Sequence, residues 1–214
     1  MALPKVFVIG DSISCYYGTH LERMLAGVFA YDRKGGTHKL ADLKDGTDGV
    51  NGGDSAMVLT YVRELRKRGG FHADWVLLNC GLHDTKTDLA AGVKQVPAAA
   101  YERNLREVCG LLRAMGARVV WVRTTPIRDL APEAIPADLK TCRYNADVVA
   151  YNAIADRVMA DLGIPSLDLY TFTLNLGPDV YFDKHVHFDE TAAAKQAAFI
   201  AGGLDALVPR AAQR

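Results

Sequence analysis

The sequence predicts an α/β fold, a three-layer α/β/α sandwich around a five-stranded, mainly parallel sheet. Three observations predict it. Short apolar runs, Val6–Ile9, Trp75–Asn79, Val119–Arg123 and Ser166–Leu169, alternate with longer helical patterns, the signature of βαβ units. Glycines at Gly69-Gly70, Gly116 and Gly163 stand where those helical patterns stop. The chain has 214 residues, half of them apolar, which suits one compact domain over residues 1–214 with a sizeable core.

Taken in order, Val6 to Ile9 is four apolar residues in a row, as expected of a strand buried on both faces. Gly10-Asp11-Ser12 then turns the chain toward a helix predicted over Tyr16–Phe29. Between Tyr31 and Asp54 the chain is rich in Gly, Asp and Lys, with at most a short edge strand near Lys39–Leu43; a loop of that length is usually functional or mobile. Further helices are predicted over Ser55–Arg68, Ala98–Met115, Asp147–Leu162 and Glu190–Leu207. With right-handed crossovers the strands take the flavodoxin-like order 2-1-3-4-5. The first and third strands then lie side by side. Their carboxyl ends carry Gly10-Asp11-Ser12 and Gly81-Leu82-His83-Asp84, so two turns distant in sequence meet at one crevice, where open α/β sheets bind ligands.

Lys plus Arg and Asp plus Glu both number 25, which gives no electrostatic case for nucleic acid or an anionic membrane and fits a neutral or small substrate. No apolar run approaches the ~20 residues of a membrane span. Met1 leads almost directly into the first strand without a basic region, apolar stretch or cleavage site, so the expectation is a soluble, cytoplasmic chain. Cys15, Cys80, Cys109 and Cys142 have no zinc-type or C-x-x-C spacing and read as reduced, mostly buried thiols, with Cys15 and Cys80 close enough to the crevice to line it.

Ser12 is the candidate nucleophile, although a serine at a strand-helix turn also serves as a helix cap. A serine needs a base at neutral pH. Tyr181-Phe-Asp-Lys-His-Val-His-Phe-Asp-Glu190 supplies His187 as that base, with Asp183 to orient the ring. Donors for an oxyanion are the Ser12 N–H, Gly53 within Asn51-Gly-Gly-Asp-Ser55, and a side chain of the Gly81–Asp84 turn. Asp11 and Asp84 read as supporting residues that bond backbone N–H groups of their turns. Asp183, His185, His187 and Asp189 also form a cluster able to bind a metal, but no further ligand group is identifiable elsewhere, and neither metal nor cofactor is expected. His20, His38 and His72 read as surface residues, and Arg63, Arg66, Lys67 and Arg68 as the solvated end of a helix.

In this order, Gly10-Asp11-Ser12, Gly53-Asp54-Ser55, Gly81-Leu82-His83-Asp84 and the C-terminal Asp/His segment resemble the four blocks of the GDSL, or SGNH, hydrolase superfamily. Thr124-Thr125-Pro126-Ile127 and Tyr151-Asn152 are similar to its bacterial members as well. The resemblance spans nearly the whole chain. It implies ester or thioester hydrolysis without a metal, with Ser12 as nucleophile, Gly53 and the third-block residue in the oxyanion hole and His187 as base. Two departures stand out. His83 occupies the position of the family's third-block asparagine; a neutral imidazole N–H can also donate to an oxyanion, and Asn79 is a less direct substitute. The family's Asp-x-x-His spacing places Lys184, not an aspartate, three residues before His187. Either a local bulge brings Asp183 to His187, or His187 works in a dyad with a backbone carbonyl.

The expectation is a serine esterase acting on short acyl, preferably acetyl, esters; carbohydrate as the alcohol part is implied by the resemblance alone. The polar loops at Thr87–Pro97 and Arg128–Arg143 give no sign of a lipid tunnel. The alternatives are a catalytically impaired relative that binds a glycan or small ester, a lysophospholipase or thioesterase, and a metal-dependent hydrolase.

Overall fold

The computed structural model of the chain describes residues 2–36, 45, 49–136, 138–181 and 185–208. Its central sheet is built from β1 (Lys5–Ile9), β2 (Ala30–Arg33), β3 (Trp75–Leu78), β5 (Arg118–Val122) and β7 (Ser166–Leu167), all parallel, in the order β2-β1-β3-β5-β7. Two further short strands, β4 (Thr87–Asp88) and β6 (Thr141–Cys142), pair with each other in a separate antiparallel ribbon. With that ribbon left out of the count, the sheet follows the order 2-1-3-4-5 that the crossovers predict.

The apolar strands are buried on both faces, and their alternation divides the core in two. Phe7, Ile9, Val76, Leu78, Val119 and Trp121 face the layer of α2 (Ser55–Arg68), α3 (Ala98–Ala114) and α4 (Asn145–Leu162). Val6, Val8, Trp75, Leu77, Val120 and Val122 face α1 (Ser12–Leu25) and α6 (Glu190–Leu207). A short helix, α5 (Leu169–Leu174), packs on α6, where Phe172 stacks on Phe199. Among the described residues no helix is long and apolar enough to cross a membrane.

Three predicted elements need correction. The first helix begins at Ser12 rather than Tyr16 and ends at Leu25, because Asp11 caps it by accepting the Ile13 N–H. The edge strand is Ala30–Arg33, inside what reads as helix end and loop; its Tyr-Asp-Arg composition hides it, since an edge strand buries little and ties Asp32 to Lys5 by a surface ion pair of 2.8 Å. The alternative at Lys39–Leu43 lies outside the described residues. The last sheet strand stops at Leu167, after which Asp168 accepts the Thr171 N–H and starts α5 in a Leu-Tyr-Thr-Phe-Thr-Leu segment whose composition favours strand.

Candidate active site

Ser12 stands at the first turn of α1, at the carboxyl end of central strand β1. Asp11 fixes that turn: its carboxylate accepts the Ile13 N–H at 3.0 Å and its carbonyl accepts the Ser14 hydroxyl at 2.6 Å. Burial, the largest influence, pushes the Asp11 carboxyl up, and the positive charge of Arg143 works against it. The Ser12 hydroxyl meets His187 Nε2 at 2.9 Å, across 175 positions of sequence. His187 reaches it beside Val186 and Phe188, which are buried in the core, and His185 and His187 both line the cleft. Its ring lies 5.1 Å from that of Tyr16. Asp183, the candidate orienting carboxylate, lies outside the described residues.

The second block is drawn to the first by the Gly52 N–H, which donates to the Gly10 carbonyl at 2.9 Å. Gly53, at φ +69°, donates its N–H to Asn51 Oδ1 at 2.9 Å. Asn51 itself lines the cleft. Two buried cations hold this loop: Arg33 donates to the Val50 carbonyl and to Ser14, and Lys34 to the carbonyls of Gly49 and Asn51. Neither cation has a motif signature, and the sequence reading missed both. Asn51 was legible only as the residue before Gly52-Gly53.

The third block leaves β3 through Gly81, at φ +145°. Cys80 and Thr124 lock its start: the Thr124 and Tyr101 hydroxyls both donate to the Cys80 carbonyl, and Asn152 pairs with the Thr124 backbone in both directions. Thus Thr124 and Asn152 position the crevice rather than line it. Asn79 turns away from it, donating to the Val122 carbonyl at 2.8 Å and to Thr124. Asp84 is fully buried, and both its oxygens accept the Ser55 N–H at 3.0 Å, so it pins the start of α2 beside Asp54, which caps the same helix. His83 lines the cleft while its Nδ1 is wholly buried, 3.4 Å from Asp45 Oδ2 and without a hydrogen bond; its polar atom toward the cleft is therefore Nε2.

Burial dominates the protonation of this turn. It lowers His83 to about 3, helped by Lys86 and Arg143, and it raises Asp84 to about 7 against the Ser55 hydrogen bonds. The two groups give opposite pH slopes of stability. Between about pH 3 and 6.5 the unfolded chain holds the His83 proton that the fold rejects, so this contribution strengthens as pH rises. Between about pH 4 and 7 the fold holds the Asp84 proton that the unfolded chain releases, so that contribution weakens as pH rises. Relative to wild type, His83→Gln is expected to gain stability as pH falls below 6.5, and Asp84→Asn to gain it as pH rises toward 7, each by up to about 1.4 kcal/mol per pH unit. Urea titrations from pH 4.5 to 7.5 measure both slopes; parallel curves for variants and wild type would contradict the assignment.

The cleft measures about 350 Å³ and is lined by Ser12, Asn51, His83, Arg143, His185 and His187, with Leu82 and Val186 as its apolar part. His185 Nδ1 bonds the Arg128 carbonyl at 2.7 Å, which assigns the proton to that nitrogen. Asp189 caps α6 through the Ala192 N–H at 2.7 Å. Among the described residues no three His, Cys, Asp or Glu side chains gather as a metal site. All four cysteines are buried and free, and burial pushes the Cys15 and Cys80 thiols up, which leaves them protonated and unreactive. His20, read from sequence as a surface residue, bridges Arg23 and Glu190.

The arrangement supplies a serine, an imidazole in contact with it and a polar enclosure, the parts needed for acyl transfer. The profile of the GDSL-like lipase/acylhydrolase family matches residues 8–195. No curated protein sequence matches significantly. Solved structures share the fold at low identity. A lipase/acylhydrolase from Enterococcus faecalis is 16% identical over 98% of this chain and 100% of its own, with a TM-score of 0.68. An acetyl xylan esterase is 15% identical over 94% and 99%, TM-score 0.67, and a psychrotrophic esterase from Pseudoalteromonas sp. is 12% identical over 95% and 97%, TM-score 0.65.

Proposed function

This chain belongs to the GDSL-like lipase/acylhydrolase family, and on that premise we propose that it hydrolyses short-chain carboxylic esters through an acyl-enzyme on Ser12. The observation that carries the reading is the 2.9 Å contact between Ser12 Oγ and His187 Nε2. His187 takes the hydroxyl proton as Oγ attacks the carbonyl carbon, then delivers it to the departing alcohol oxygen. Water enters and gives a proton to His187 as it attacks the acyl carbon, and His187 returns that proton to Ser12 Oγ as the acyl-serine bond breaks. Asp183 is assigned to the far ring nitrogen, where a carboxylate stabilises the imidazolium.

The oxyanion is assigned to the Ser12 N–H, which as the first helical N–H has no intrahelical acceptor, together with Gly53 and His83. Gly53 serves by transferring its N–H from Asn51 Oδ1 to the substrate oxygen. His83 is assigned to serve from Nε2, the ring nitrogen on the cleft side, in the neutral tautomer that carries its proton there. Asp11 and Asp84 are assigned to holding the turns that carry these donors.

The small, polar cleft supports a short acyl group, and an acetyl ester on a carbohydrate is the preferred substrate class. A 4-nitrophenyl ester series tests this: kcat/KM for acetate is expected to exceed that for octanoate by about tenfold or more, since among the described residues only Leu82 and Val186 offer a long chain apolar lining to repay its ordering. A preference for octanoate would contradict the assignment.

A further inference from the structure

We propose that the Asn51 carboxamide is a further donor to the oxyanion, giving an N–H from Nδ2 to the substrate oxygen as Ser12 attacks. This inference rests on the hydrolase reading of the same cleft and adds a catalytic residue to it. Asn51 lines the cleft with Ser12, His83 and His187, yet only 5% of it is exposed. Its Oδ1 accepts the Gly53 N–H at 2.9 Å. That bond fixes which end of the amide is which, because Nδ2 in the same place would set donor against donor. Nδ2 makes no hydrogen bond among the described residues. It is also absent from the side-chain atoms sealed away without a partner, so it opens onto the cleft. A nearly buried carboxamide with both N–H donors unspent calls for an acceptor from the ligand.

The fold holds this donor in place before any substrate arrives. The Asn51 carbonyl accepts from Lys34 Nζ at 3.1 Å, the Val50 carbonyl accepts from Arg33, and the Gly52 N–H donates to the Gly10 carbonyl, two residues before Ser12. The loop lies so close to the first block that a Cβ on Gly52 would stand 3.0 Å from the Gly10 carbonyl oxygen. These backbone clamps stay when Gly53 turns its N–H to the substrate. Such a donor needs no reorganisation at the moment of reaction, which is what makes oxyanion stabilisation effective. The donors assigned beside the Ser12 N–H each carry a condition: Gly53 must release its N–H from Oδ1, and His83 must keep its single proton on Nε2. Nδ2 carries two protons and needs neither. A carboxamide donor is thus kept in the cleft although His83 stands at the third-block asparagine position; it comes from the second block instead.

Two replacements separate donating to the oxyanion from merely holding Gly53. Asn51→Asp keeps an oxygen for the Gly53 N–H, and a stronger acceptor, but sets a negative oxygen where Nδ2 was. Asn51→Ser keeps a neutral, weaker acceptor and ends short of the Nδ2 position. With 4-nitrophenyl acetate both are expected to lower kcat by about 10²-fold or more with KM within about threefold, and Asp is expected to be the worse of the two. Rates are compared on the pH plateau of each variant, because a carboxylate beside His187 shifts the pKa of the base. A trifluoromethyl ketone, which takes the Ser12 oxygen at its carbonyl carbon while His187 takes the proton, places a tetrahedral alkoxide in the same site. Its affinity is expected to fall by about the same factor as kcat in each variant. Melting temperatures within about 3 °C of wild type are expected beside these losses. A role confined to holding Gly53 gives the reverse order, with Asp close to wild type. Asn51→Asp retaining more activity than Asn51→Ser, kcat within about threefold of wild type in both, or a loss of kcat with unchanged inhibitor affinity would overturn the proposal. Any of these beside wild-type turnover contradicts Asn51 alone, whereas a folded wild type that cleaves no ester contradicts the hydrolase reading and this proposal with it.

Discussion

Ser12→Ala is expected to lower kcat/KM for 4-nitrophenyl acetate by about 10⁴-fold or more, with the fold intact. Among the described residues the Ser12 hydroxyl bonds His187 alone, and its loss leaves no other acceptor or donor orphaned. His187→Asn is expected to cost nearly as much, because a serine at its ordinary pKa is a weak nucleophile without a base. The double variant is expected to lose little beyond either single one, since the two residues act as a unit. Steady-state kinetics beside a thermal melt measure this. Loss of turnover with a collapsed melting temperature would point to packing, and turnover retained by Ser12→Ala would remove the nucleophile.

Gly81→Ala carries the second large effect, and it acts on stability. A Cβ there would lie 2.5 Å from Thr124 Oγ1 and 3.4 Å from the Tyr101 hydroxyl, the two groups that hold the Cys80 carbonyl. The backbone at φ +145° is also one that L side chains rarely adopt. Both routes of relief disturb the turn carrying His83 and Asp84. A loss of about 3 kcal/mol is expected, which for a chain of this size lowers Tm by roughly 6–12 °C. Calorimetry checks it; a melting temperature within 2 °C of wild type would mean that the turn adapts at little cost.

Much of this architecture is legible in the sequence because burial writes a strong pattern. Val6–Ile9 and Trp75–Leu78 lie in the middle of the sheet and must be apolar on both faces, whereas β2 at the edge is free to read Ala-Tyr-Asp-Arg. Ser12 and His187 were legible because a serine after a buried strand and a histidine before the last helix arrive at one sheet edge under any right-handed winding. Asp11 and Asp84 read as residues that hold backbone N–H groups, but other residues that act by holding were not legible. Arg33, Lys34 and Arg143 each bond backbone carbonyls, contacts that depend on tertiary approach and leave no spacing to read. The β4–β6 ribbon escaped for a similar reason: two residues per strand carry no periodicity, yet pairing Thr87 with Cys142 is what places Arg143.

The most direct test of Ser12 as a His187-activated nucleophile is covalent labelling with diisopropyl fluorophosphate, followed by intact and peptide mass spectrometry. The expected result is one adduct per chain, on the peptide containing Ser12, absent in Ser12→Ala and formed about 10²-fold or more slowly in His187→Asn. A folded wild-type protein that takes no label, or takes it at a site indifferent to both substitutions, would contradict the account and leave the chain as a binding protein on a hydrolase fold.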